Sequence, residues 1–92
     1  MSHFKRIGLL GSLDVAEVKE SLHKLESFLI SQGREVVYEE QAAKLVDWSV
    51  DKRLPIEEFA GAIDLGIVVG GDGSMLSACR KMAANGVPLL GI

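Results

Sequence analysis

The residues best equipped for chemistry in this 92-residue sequence are Gly70-Gly71-Asp72-Gly73-Ser74. Glycines in succession admit positive φ and close backbone approach, so consecutive amides can turn toward the oxygens of a phosphate. An acid at the centre of such a loop opposes phosphate binding by its charge. That leaves Asp72 two chemical uses: company for a metal ion, or acceptance of a proton from an attacking group. A third reading is structural, with Asp72 capping the following helix and the glycines merely turning the chain. Ser74 is open in the same way, as ligand or as cap. Two familiar phosphate motifs are excluded, because Leu76 stands where a dinucleotide fingerprint needs glycine and Asp72 where a P-loop needs lysine.

Such a loop works only if regular elements hold it. Ile7-Gly8-Leu9-Leu10 is a short apolar run suited to a buried parallel strand. Asp14, three residues before Glu17, resembles a capping box, and Val15, Val18, Leu22, Leu25 and Leu29 then recur at helical steps up to Gly33. Glu35 to Glu39 is β-branched and aromatic, a second strand. Residues 41–48 predict a short helix, and Ser49 to Pro55 a variable polar loop. Pro55 opens a further helix at its first turn, with Ile56, Phe59, Ala60 and Ile63 facing inward. Leu65 to Val69 is the third strand, leading into the glycine loop. Met75, Leu76, Cys79, Met82 and Ala83 mark a helix ending at Asn85-Gly86, and Val87 to Ile92 resumes an extended apolar pattern.

Strands alternating with helices predict an α/β fold, a parallel sheet of about four strands with helices on its faces. Ligands in such sheets bind beyond the carboxyl ends of the strands, where the glycine loop falls. Residues 1–92 form one domain by length. The apolar strand at the end, without a helix to cover it, leads to the expectation that the domain is cut from a longer chain.

Composition narrows the function. Ten Lys+Arg against thirteen Asp+Glu give a net charge of -3, with no basic footprint for nucleic acid. No apolar stretch approaches a membrane span, and no signal peptide is recognisable, so a soluble chain is expected. The one cysteine, Cys79, forms no internal disulfide, which suits a reducing cytoplasm. Cys79 falls on an apolar stripe and reads as a small buried thiol. Arg80 and Lys81 read as a solvated face before they read as phosphate ligands. His3 and His23 lack the company a zinc site requires, so no metal site made of protein ligands alone is expected. Trp48 packs on the domain or meets a partner; the sequence leaves both open.

Val68-Val69-Gly70-Gly71-Asp72-Gly73-Ser74-Met75-Leu76, with Ala78, Arg80 and Val87-Pro88-Leu89-Leu90-Gly91-Ile92, resembles the N-terminal half of bacterial NAD kinases. Phe4-Lys5-Arg6-Ile7-Gly8 and the order of elements extend the likeness over nearly the whole chain, although its specificity lies in residues 67–92. A bare GGDG is shared with lipid kinases and phosphofructokinases; a phosphofructokinase would carry a second glycine-rich motif after the first strand, where only Gly11-Ser12-Leu13-Asp14 stands. The resemblance implies a Rossmann-like domain and phosphorylation of the adenosine-ribose 2′-hydroxyl of NAD by ATP, with a divalent metal such as Mg²⁺, giving NADP. It implies that Asp72 accepts the proton of that hydroxyl, that Asp72-Gly73 also contacts the dinucleotide, and that the longer protein is a homo-oligomer. Gly70, Gly71, Gly73 and Ser74 are the candidate phosphate contacts, Ser74 standing where many members have threonine. The family's Asn-Glu motif lies in a second, β-rich domain outside these 92 residues, so the chain alone is expected to be inactive. The alternatives are a lipid kinase of the same broad fold and a non-catalytic α/β interaction domain with a structural turn.

Overall fold

In the computed structural model, which describes residues 4–11, 15–70 and 76–91, the elements run β1 (Arg6–Leu10), α1 (Ala16–Ser31), β2 (Glu35–Glu39), α2 (Glu40–Leu45), β3 (Arg53–Leu54), α3 (Ile56–Ala62), β4 (Leu65–Val68), α4 (Leu76–Ala84) and β5 (Leu89–Gly91). The five strands form one sheet in the order β3-β2-β1-β4-β5, every neighbouring pair parallel. From β1 the chain builds outward through β2 to β3, then crosses back to β4 and builds the opposite way to β5. Crossovers of one hand then require helices on opposite faces for the two halves.

The core divides accordingly. Ile7, Leu9, Tyr38, Ile67 and Val69 point to the face covered by α1 and α2, where they meet Val18, Leu22, Leu29, Ala42 and Ala43. Leu10, Val37 and Val68 point to the other, where they meet Phe59, Ala60 and Ile63 from the α3 region and Met82 from α4. Gly8 and Gly66, paired in register on β1 and β4, let that second layer approach closely. A Cβ on Gly8 would overlap the Phe59 ring and the tip of Ile63. At the amino edge, Asp64 accepts the amides of Lys5 and Arg6 at 3.0 and 2.9 Å, tying β1 to the start of β4.

Five strands replace the expected four or so. The additional one, β3, pairs Arg53 and Leu54 with Tyr38 and Glu39; two residues inside a polar segment are too few for strand periodicity to register. Pro55 occupies the position before α3, with φ -65 and ψ 157, rather than its first turn. Ile63 lies just beyond that helix yet is buried as expected. Helix α2 stops at Leu45, Val46 already being extended, so Trp48 lies outside it. The cap position of α1 is Val15, which makes no side-chain cap hydrogen bond; Asp14 lies outside the described residues, as does His3. No helix among the described residues is long and apolar enough to cross a membrane.

Candidate functional site

Between β1 and β4 the sheet reverses its direction of growth, and beyond their carboxyl ends lies the crevice where open α/β sheets bind ligands. Three local features shape it. The Val69 amide donates to the Leu10 carbonyl at 2.9 Å, extending the pairing one residue past β4. Gly11 is buried there, and a Cβ on it would stand 3.3 Å from the Val69 carbonyl oxygen, so a side chain would push the two chain segments apart. Gly70 turns the chain at φ 61, the left-handed region that glycine enters without strain. Around this point the chain is apolar and covered on both faces: Leu10, Val68 and Val69 are buried, as is Met82 from α4.

Of the five candidate residues in the glycine loop, Gly70 is described and begins the turn at the end of β4. Gly71, Asp72, Gly73 and Ser74 lie outside the described residues, and the chain resumes as α4 at Leu76. The loop therefore joins the carboxyl end of a central strand to a helix whose Met82 packs on the α3 side of the sheet.

The remaining candidates have other occupations. Arg80 is exposed, and Lys81 lies 3.5 Å from Glu57 of α3, in keeping with a solvated face. Cys79 is half-buried rather than fully buried. His23 meets Trp48 edge to face, the ring centres 5.1 Å apart. Trp48 packs on the domain: its Nε1 donates to Glu26 Oε1 at 2.9 Å, and the Tyr38 hydroxyl donates to the same oxygen at 2.6 Å. Burial and the neighbouring Glu26 carboxylate push the Tyr38 phenol well above its usual range, keeping it a neutral donor. Among the described residues no three His, Cys, Asp or Glu side chains gather to hold a metal ion.

Sequence reasoning missed Glu39, the last residue of β2, which it treated as one of the charged ends of a strand. It is 5% exposed, the one buried charged side chain among the described residues, and its Oε1 has no hydrogen-bond partner. Burial raises its carboxyl above the usual range, against the opposing pull of the Gln41 and Ala42 amides. Nothing in its sequence neighbourhood signals this, since a charged residue at the end of a strand pattern ordinarily faces water.

Residues 7–92 match the family described as ATP-NAD kinase N-terminal domain. An NAD kinase of Coxiella burnetii (strain RSA 493 / Nine Mile phase I) is 43% identical over 89 residues, 97% of this chain and 30% of the relative. One of Saccharophagus degradans is 45% identical over 92 residues, 100% of this chain and 31% of the relative. One of Hahella chejuensis is 40% identical over 93 residues, again 100% and 31%. The chain thus spans about 30% of the length of these curated relatives. With an all-parallel sheet that reverses between β1 and β4 and a family match running from residue 7 to residue 92, the chain belongs to the ATP-NAD kinase N-terminal domain family.

Proposed function

We propose that this chain is the loop-bearing domain of an NAD kinase, which transfers the γ-phosphoryl group of ATP to the 2′-hydroxyl of the adenosine ribose of NAD. In this reading the Asp72 carboxylate takes the hydroxyl proton as the ribose oxygen forms a bond to the γ-phosphorus. The bond from that phosphorus to the bridging oxygen breaks, and ADP and NADP leave. A ribose hydroxyl is a weak nucleophile, and a positioned carboxylate base typically contributes about 100- to 10,000-fold. Gly70, Gly71 and Gly73 offer amides to phosphate oxygens, Ser74 offers its hydroxyl, and Asp72-Gly73 contacts the dinucleotide. Much of phosphoryl transfer is positioning and charge stabilisation, which fixed amides supply without reorganisation.

The observation that carries the reading is the turn at Gly70, where the chain leaves β4 beside the reversal point of the sheet, in a chain of this family. The relatives' own names, NAD kinase, support the choice of substrate over a lipid alcohol. A divalent cation such as Mg²⁺ ordinarily neutralises the triphosphate; the described residues gather no side chains for one, and no step here passes through it. A cytoplasmic setting and a homo-oligomer of the longer protein belong to the same reading. The test is NADP formation from NAD, ATP and Mg²⁺ by the polypeptide that carries this chain, read with an NADP-specific dehydrogenase. NADP is expected; a well-folded polypeptide that makes none, or that phosphorylates a lipid alcohol instead, overturns the reading.

A further inference from the structure

Where β2 parts from the segment that leads into β3, a groove opens beside α1. The Tyr38 amide donates to the Lys52 carbonyl at 2.9 Å, and regular pairing of the two segments runs only from Tyr38 and Arg53 onward. Towards the start of β2 they separate, leaving a cavity of about 440 Å³ with apolar walls from Ile30, Val36 and Val50. That volume lies within the range of small-molecule sites. Arg34 and Glu35 line it at the start of β2, so it is remote from the crevice at the carboxyl ends of the strands.

Glu26 supplies the fixed charge of this groove. Its Oε1 is pinned by the Tyr38 hydroxyl at 2.6 Å and the Trp48 indole at 2.9 Å. Both donors are neutral, so they orient the carboxylate without cancelling its charge. Its second oxygen meets no donor among the described residues, and Asp51, also lining the groove, meets no cation among them. The other charges are engaged: Lys52 pairs with Glu35 at 3.0 Å, and Arg34 donates to the Phe4 carbonyl at 2.9 Å. Arg34 follows the end of α1, two turns beyond Glu26, and so sets the Glu26 end apart as the acidic one. Ile30, one turn from Glu26 and 55% exposed, leaves apolar surface beside the carboxylate.

An oriented, unneutralised carboxylate next to apolar walls suits a cation that carries methylene groups. A compact hydrated ion uses the charge and leaves the walls wet, whereas an alkylammonium uses both. We propose that this groove binds a linear aliphatic polyamine, with one ammonium on the open oxygen of Glu26, a second facing Asp51, and the methylene stem along Ile30, Val36 and Val50. Since Trp48 shares the Glu26 carboxylate, occupancy of the groove is felt at the indole.

The experiment titrates spermidine into the polypeptide that carries this chain, and into its Glu26→Gln and Glu57→Gln variants, by calorimetry. Salt of about 0.15 M screens loose attraction to surface charge. Trp48 emission is followed in parallel, taken as the difference from a Trp48→Phe variant. Saturable one-site binding with a change in Trp48 emission is expected. Glutamine keeps an oxygen for Tyr38 and Trp48, and Glu26→Gln is expected to bind about tenfold or more weakly, the scale of one hydrogen bond to a charged group. Glu57, an exposed acid of α3 paired with Lys81, lies outside the groove, and Glu57→Gln is expected to bind as the parent does. No saturable binding, equal binding by Glu26→Gln, or an equal loss in Glu57→Gln overturns the proposal. Magnesium chloride that gives the same heat and emission change overturns the alkylammonium class, and a lysine-rich peptide that binds where spermidine does not assigns the groove to a protein partner instead. Should Glu26→Gln fail to fold, Ile30→Trp, at an exposed position, fills the groove in its place: weakened binding supports the proposal and unchanged binding overturns it.

Discussion

Glu26 and Glu39 are two acids close to the same strand with opposite consequences. Glu26 joins three elements, because one of its oxygens receives the Tyr38 hydroxyl from β2 and the Trp48 indole from the segment after α2. Replacing it by alanine leaves a buried phenol without its partner and frees the only tryptophan. Glu26→Ala is expected to lower stability by about 1–3 kcal/mol, measured by urea denaturation, with a shifted Trp48 emission in the folded state. Glu39 works the other way. Its folded-state pKa is raised, so the unfolded chain releases the proton more readily. The acid is therefore neutral in both states at low pH, and stability is lost as pH rises from about 4.5 through the raised value. Glu39→Gln removes that loss. The stability of the variant relative to the parent is expected to climb between pH 4 and pH 7, in denaturation midpoints taken across that range; a flat difference contradicts the burial account.

At the scale of elements, the close packing of α3 on the sheet depends on glycine where β1 and β4 pair. Gly8→Ala drives a methyl group into Phe59 and Ile63, both buried, and is expected to cost about 1–3 kcal/mol or more as an overpacked core. Gly61, within α3, has open space where its Cβ would go, and Gly61→Ala is expected to add about 0.4–1 kcal/mol. Denaturation of the two variants side by side separates crowding from backbone entropy. The elements best legible in the sequence were those with a long or pure signal: α1 from its apolar repeat, β1 and β4 from uninterrupted apolar runs, α4 from its stripe and its closing glycine. Strand β3 was not legible, because Arg53 and Leu54 are strand only through the backbone of Tyr38 and Glu39, a tertiary cause that local sequence does not carry. The burial of Glu39 was hidden as well, because it is a property of the packed fold and not of the local pattern.

For the molecule as a whole, order and direction of strands matter more than any single contact. The sheet reverses its growth between β1 and β4, and the pairing of Val69 with Leu10, the buried Gly11 and the turn at Gly70 bring the chain to that point. The composition of the loop was legible in the sequence, whereas the crevice emerges only from the strand order. The central claim, that Asp72 is the base for ribose phosphorylation, is tested most directly by comparing Asp72→Asn with the parent in the polypeptide that carries this chain, measuring both the rate of NADP formation and the affinity for NAD. Asparagine keeps the shape and loses the basicity. The account predicts a kcat lower by about 100- to 10,000-fold with NAD binding changed only a few-fold. A variant that turns over within a few-fold of the parent contradicts it, and Asp72 is then a turn residue.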